Sequence, residues 1–368
     1  MDPLVVAAII TGALTVIGTL LAQHFGRLAT GRDTEKTLNE QSKQLDKTFA
    51  EQREELDKTL KAQSEQLDRT LAEQRTRTLN ERFATAADEL GSGKPAVRLA
   101  GVYALAGLAD DWPENRQACV AVLCSYLRLP YERDPGDDAP AEKRVAFLAS
   151  REVRHAIIGV IAAHLQVNAK PSWQGLRFDF KGVVFDGGDF SGADFSSGTT
   201  ADFSGAEFSG GVVNFGSRFT GGVVNFRGAN FSGGKVSFGW ARFRDSPVSF
   251  STAEFSGSEV SFDRAIFSGG TVDLGFAEFR SGLVDFRDAK FSDSGMVSFF
   301  RANFSGGTVS FCHTRFAGGT VSFERAQFSG AQVDFSDAGD WSVPPEFPWT
   351  GAAPPGVKLP EEKDHSQV

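Results

Sequence analysis

From residue 226 the chain reads FRGANFSGGKVS (226–237), FGWARFRDSPVS (238–249), FSTAEFSGSEVS (250–261), FDRAIFSGGTVD (262–273) and LGFAEFRSGLVD (274–285). A thirteen-residue unit, FRDAKFSDSGMVS (286–298), follows, then FFRANFSGGTVS (299–310), FCHTRFAGGTVS (311–322) and FERAQFSGAQVD (323–334). The pattern is F-x-x-A-x-F-x-G/S-x-x-V-[SD], with phenylalanines alternately five and seven residues apart. Of the 34 Phe in the chain, 29 lie within 178–335, while over 176–340 Leu occurs only at Leu176, Leu274 and Leu283. A self-similar period this short marks a solenoid, in which each unit buries its apolar face only against its neighbours.

In A-x-F and V-x-F the flanking residues point one way and the middle residue the other, as the two-residue period of an extended strand requires. Phe therefore fills the interior, with Ala (Ala229, Ala241, Ala253) or Val (Val236, Val248, Val260) two residues before it. The predicted core comprises Phe190, Phe195, Phe203, Phe208, Phe226, Phe231, Phe238, Phe243, Phe250, Phe255 and Phe262, continuing through Phe267, Phe279, Phe286, Phe291, Phe304, Phe311, Phe316, Phe323, Phe328 and Phe335. Ser, Gly and Asp after each Phe let the backbone turn a corner.

The runs Gly192-Ala193-Asp194-Phe195-Ser196, Ala201-Asp202-Phe203-Ser204-Gly205 and Ala206-Glu207-Phe208-Ser209-Gly210 resemble those of the pentapeptide-repeat proteins, whose motif is A-(D/N)-(L/F)-x-x. The resemblance covers residues 176–340 and implies a right-handed, four-sided β-helix with the central Leu or Phe inside. This chain departs from the motif by inserting two residues in every second unit. Four sides then take about 24 residues rather than 20, giving about six coils and a rod about 30 Å long at roughly 4.8 Å per strand.

Register makes this testable. A 24-residue turn stacks Glu254 and Glu278 in one outward column, continuing Asn230, Asn303 and Gln327, and stacks Arg242, Lys290 and Arg315 in another, interrupted by Ile266. A flattened 12-residue turn would interleave the two as an acid–base ladder, which electrostatics favours. The longer turn is preferred because 12 residues leave little interior volume for two Phe per layer.

The whole chain, at 368 residues, is long enough for more than one domain. Its net charge of −9 gives no electrostatic case for gripping nucleic acid. Three scattered cysteines, Cys119, Cys124 and Cys312, supply neither a disulfide framework nor a zinc site. Free thiols fit a reducing compartment.

Residues 4–22 (LVVAAIITGALTVIGTLLA) carry no charge, and as a helix would be about 28 Å long, enough to span a membrane. No basic segment precedes them, so a transmembrane anchor (1–23) is expected rather than a signal peptide. His24, Arg27 and Arg32 follow, which places the N-terminus outside and the bulk of a single-pass protein in the cytoplasm. A juxtamembrane and coiled-coil stalk is expected over 24–80, with an 11-residue repeat at 44–76. In it Leu45, Leu56 and Leu67 pair with Phe49, Leu60 and Leu71 four residues on, a period suited to a nearly straight or slightly right-handed coiled coil. Homo-oligomerisation through this narrow stripe is the expected outcome, aided by membrane anchoring.

An α-helical domain is expected over 81–170, with helices ending at Gly91 and spanning 95–109, 113–128 and 141–166, and an exposed loop at 130–140. The stretch PAVRLAGVYALAGL (95–108) resembles one helix of a HEAT-type repeat, which implies α-hairpin packing. This domain would cap the Phe-lined first coil near Trp173. The β-helix is expected over 171–340, followed at 341–368 by a Pro-rich aromatic cap (Trp341, Phe347, Trp349) and a disordered tail beyond Pro354. The fold class is thus multi-domain α + β.

No constellation carries catalysis, a cofactor or a metal. Gly91-Ser92-Gly93-Lys94 lacks the first Gly of a phosphate-binding loop and has Pro95 where Ser or Thr must hold magnesium. His155 and His164 are nine residues apart with no metalloprotease pattern, and Cys312-His313 occurs once, on a convex solenoid side that offers no cleft. The repeat acids read as solvated rungs. The reading favoured is a non-catalytic, membrane-tethered protein-interaction or scaffolding protein with an unidentified protein partner. The family resemblance suggests an alternative, since some pentapeptide-repeat proteins are acidic DNA-shaped rods that bind DNA gyrase. Over 173–340, however, 14 Lys and Arg stand against 19 Asp and Glu, short of a duplex-like negative column. An enzyme with an unrecognised site is the remaining alternative.

Overall fold

The structure, a computed structural model, describes residues 32–361. The apolar stretch at 4–22 lies outside them, and among the described residues no helix is long and apolar enough to cross a membrane. The chain divides into two compact units at Arg77 and Thr78.

The first unit holds most of helix α1 (Arg32–Leu90). Leu45, Leu56, Leu60, Leu67 and Leu71 of the stripe are 49–59% exposed, and Phe49 is half-buried. The helix runs unbroken past 80, where stalk and helical domain are expected to meet, and ends at Leu90, just before Gly91. Neither Gly nor Pro occurs between Arg32 and Leu90, so helix propagation meets no breaker before Gly91.

The second unit begins with the end of α1, whose Leu79, Ala86 and Leu90 are buried. Helices α2 (Pro95–Asp111), α3 (Arg116–Leu127, after a 3-10 turn at Pro113–Asn115) and α4 (Ala141–His164) follow. They pack through Val102, Leu105, Leu108, Val120, Leu123, Ile157 and Ile161, all essentially inaccessible. Cys119 and Cys124 belong to this core, and burial pushes the Cys124 thiol up to about 12.

The rest is a four-sided β-helix. In the first coil, side 1 starts with Arg177–Asp179, side 2 with Val184–Phe185, side 3 with Gly188–Asp189 and side 4 with Asp194–Ser196; the next coil begins at Thr200–Asp202. Coils pair in parallel, side on side, and the right-handed winding is the one parallel crossovers favour. One turn takes 23 residues at the start (Arg177↔Thr200), 24 in the middle (Arg242↔Ile266) and 25 where the unit 286–298 enters (Thr271↔Met296). The 12-residue turn is therefore excluded.

Six coils proved too few. Side 1 has seven strands, and side 3 ends with Val357–Lys358 on Val333 and Asp334, an eighth level. The segment beyond 340 is thus more than a plug, and its tail beyond Pro354 is not wholly disordered. Backbone N–H groups left open on the preceding coil recruit it: Phe323 donates to Glu346 (2.8 Å), Val333 to Gly356 (2.9 Å) and Phe335 to Lys358 (2.8 Å). Residues 362–368 of the expected tail lie outside the described residues.

Inside, each coil supplies four ring positions that stack on the coils above and below. Phe226–Phe250, Phe231–Phe255, Phe238–Phe262 and Phe243–Phe267 have centroids 4.8–4.9 Å apart with planes within 8°. That spacing is set by strand pairing. Between columns the rings meet edge to face, as Phe226–Phe238 (85°) and Phe238–Phe250 (82°) do, the arrangement that suits the aromatic quadrupole. Every predicted core Phe is buried except Phe328, half-covered near the C-terminal end.

Candidate functional site

With the interior filled by rings, partners can meet the rod only at its skin. The register fixes what that skin displays. On side 2, Glu207, Asn230, Glu254, Glu278, Asn303 and Gln327 form one column. On side 4, opposite, Arg218, Arg242, Ile266, Lys290 and Arg315 form another.

The two columns are not compensated alike. Arg280 lies 3.1 Å from Glu254 and 4.0 Å from Glu278, Asn303 donates to Glu278 at 2.9 Å, and Arg133 pairs with Glu207. On side 4, Arg218 approaches Asp194 at 3.7 Å, and the positive charge of Arg315 reaches Asp340 in the adjoining level. Among the described residues Arg242 and Lys290 form no ion pair. Arg242 sits in register with Arg218, and Lys290 with Arg315, so like charges face each other across neighbouring strands. Such pairs destabilise a sheet unless something anionic lies over them.

Next to side 4, at the corner from side 3, stands Trp240, 67% exposed, with the Arg264 guanidinium 5.0 Å from its ring centre. It borders an open dent of about 420 Å³ lined by Ser191, Asn214, Lys235, Ser237, Ser261 and Asp263. Local sequence makes the dent. Where other coils run six residues from Phe to Phe, as in FGWARF (238–243), FGSRF (215–219) has five, and Ser217 Oγ donates to the Phe190 carbonyl (2.7 Å), drawing the corner inward. Gly216 and Gly239 leave the space above it empty of side chains.

At the corner between sides 1 and 2, Phe276 (46% exposed) meets Phe300 edge to face at 5.7 Å. Arg301 lies over both rings (5.7 and 5.4 Å). Trp, Arg and exposed aromatic rings of this kind are the residue types that dominate protein interfaces.

The candidates weighed for chemistry fall elsewhere. Gly91-Ser92-Gly93-Lys94 is the turn between α1 and α2, where Ser92 Oγ accepts the Lys94 N–H at 3.2 Å. His155 contacts Asp186 (3.3 Å), while His164 stacks on Trp173 (4.1 Å) and contacts Asp110 (3.2 Å). His313 occupies a corner at φ +56°, with its N–H on the Asp337 carbonyl (2.7 Å). Among the described residues no three potential ligands converge on a metal site.

One role escaped the sequence reading: many repeat acids are not idle rungs. At the [SD] position the side chain accepts the N–H two residues on, as in Asp202–Ser204 (3.0 Å), Asp273–Gly275 (2.8 Å), Asp285–Arg287 (3.0 Å) and Asp334–Ser336 (2.9 Å). The alternation of Ser with Asp before each Phe was the available signal, since those residues share this turn-closing bond.

No known family's sequence profile matches the chain, and no curated protein matches it either. Among solved structures it is similar to trypsin-treated QnrB1, a plasmid-mediated fluoroquinolone resistance protein, at 19% identity, over 48% of this chain and 91% of that one, with a TM-score of 0.12. A TM-score that low supports no shared shape or role. The β-helix is established by its own strand register and stacked rings.

Proposed function

We propose that this is a membrane-tethered, non-catalytic interaction protein of pentapeptide-repeat type, whose rod holds an acidic protein partner on side 4 and the Trp240 corner. One observation supports this above the others: the strand register sets like charges side by side on side 4, while the acids of side 2 are neutralised by Arg280 and Arg133. An acidic partner would relieve that repulsion, and Trp240 beside it would supply a central apolar anchor. The same column argues against a rod acting as a DNA mimic on gyrase, because a duplex surrogate needs acids where this side has arginines.

The exposed leucine stripe of α1 supports the second half of the reading, a parallel oligomer that presents several rods together. Tethering at 4–22, with the rod on the cytoplasmic side, would raise the local concentration enough for so narrow a stripe to associate. Affinity capture tests both. Full-length protein is compared with an Arg242→Glu, Lys290→Glu, Trp240→Ala variant, a Leu56→Lys, Leu67→Lys variant and residues 1–80 alone. Partners retained by the wild type are expected to be lost from the rod variant and weakened, through lost avidity, in the stalk variant. Equal recovery on all four baits would remove the proposal.

A further inference from the structure

A cleft in the helical domain, remote from side 4, has the chemistry of an anion site. It encloses about 420 Å³ between the end of α1 (Leu90, Ser92), Arg98 on α2, Tyr126 on α3, Tyr131 in the following loop and Arg154 on α4. That volume is in the range of small-molecule sites, roughly 300–1,000 Å³.

Its charge balance is one-sided. Two guanidinium groups line it and no carboxylate does. Arg154 is only 4% exposed, yet its hydrogen bonds go to neutral carbonyls, Leu127 O at 2.8 Å and Val184 O at 2.7 Å, and it lies over the Tyr131 ring at 4.2 Å. Asp186, at the edge of the rod, acts on Arg154 only through its charge, since its carboxylate is engaged by the Tyr131 hydroxyl (2.6 Å), His155 and Arg151 of the helical domain. The Arg98 Nε is buried and has no hydrogen-bond partner among the described residues. A buried guanidinium donor without an acceptor is costly, and a buried cation whose acidic neighbour is shared with other groups is only partly compensated. Both costs fall in the same cleft.

We propose that the cleft binds a phosphate monoester carried on an apolar or aromatic body. A tetrahedral dianion can take the fork of Arg98, while the Ser92 and Ser150 hydroxyls supply further donors. Leu90, Leu129 and the Tyr126 ring form the apolar wall for the remainder of the molecule. The turn Gly91–Lys94 would then take part in phosphate binding without being a nucleotide-triphosphate loop, through Ser92 and the arginine it leads to.

Full-length protein in non-ionic detergent would be titrated calorimetrically with phenyl phosphate, inorganic phosphate and dihexanoyl phosphatidic acid, with phenol as the uncharged control. Saturable binding of a phosphate ester is expected, tighter than inorganic phosphate, absent with phenol, and at least tenfold weaker in Arg98→Gln. Because the Arg98 Nε has no acceptor to lose, that variant should keep the wild-type circular dichroism and melting temperature, and Arg227→Gln, on the rod surface, should bind like wild type. Preference for phenyl phosphate marks a soluble ligand, and preference for the phosphatidic acid a lipid headgroup. Failure of every phosphate probe to bind, or equal affinity in Arg98→Gln, would overturn the assignment.

Discussion

From residue 240 on, at two corners of each coil, the second residue after the inward Phe (Leu274 in one case) adopts a left-handed backbone without being glycine: Trp240, Thr252, Arg264, Phe276, Asp288, Arg301, His313 and Arg325 all lie at φ +54 to +62°. The coil imposes this conformation, because the N–H there must reach the next level; Thr252 donates to Gly275 O at 2.9 Å and Trp240 to Asp263 O at 2.9 Å. For residues with a Cβ the conformation costs about 1–2 kcal/mol each, and β-branched Thr252 is the worst suited. Thr252 is exposed and its corner is occupied by Gly228 one coil earlier. Thr252→Gly is therefore expected to stabilise the rod by roughly 1 kcal/mol, less the entropy glycine adds to the unfolded chain. Denaturant unfolding should show a higher midpoint with unchanged slope. The opposite substitution is forbidden at Gly234, where a Cβ would lie 2.5 Å from the Gly211 carbonyl oxygen.

A β-helix has two open ends, and the helical domain closes the first by answering each side separately. On side 1, Gln117 exchanges two 2.9 Å hydrogen bonds with the backbone of Arg177, as a neighbouring strand would. Arg154 caps Val184 on side 2, and the Leu165 carbonyl at the end of α4 takes the Asp194 N–H (2.8 Å) on side 4. Side 3 lies under α4 itself, whose Ile158 and His155 rest where Gly188 and Gly187 have no side chains. Asp186 pins this junction. Burial alone would raise its carboxyl, but hydrogen bonds from His155 and Tyr131, with the charges of His155 and Arg151, outweigh that and hold it below the usual carboxylate range. A depressed pKa contributes stability that is complete above the unfolded value of about 3.9 and is lost as pH falls through the folded one. Asp186→Asn should thus lower stability at neutral pH by about 1–3 kcal/mol and flatten the wild type's loss below about pH 4. Parallel acid curves for the two proteins would show that the junction does not depend on this ionisation.

At the scale of the molecule the second end is closed by the chain's own last described coil. Trp341 meets Phe316 edge to face (5.2 Å), Phe347 stacks on Phe323 (5.5 Å) and Trp349 caps Phe328 (5.1 Å). Prolines here prevent another strand from adding, and Pro345 is itself buried. Truncation after Asp340 would strip those rings and free the N–H groups of Phe323, Val333 and Phe335. Light scattering after gel filtration should then show association or aggregation of a protein that was previously discrete. An unchanged mass and melting temperature would mean the last coil is dispensable.

Interior and register were legible in the residues themselves. A period of 24 with two apolar positions per side leaves Phe one place to go, and the stacking of Arg242, Lys290 and Arg315 follows from counting. Those properties are local and repeat, so one unit speaks for all. Tertiary structure decided what the counting could not: that Arg280 neutralises side 2 while Arg242 and Lys290 stay unpaired, that the last coil folds back as strand, and that Arg98 and Arg154 meet in a cleft. Each depends on side chains brought together from distant turns or helices, where no repeat constrains the outcome and only packing sets which charge finds a partner.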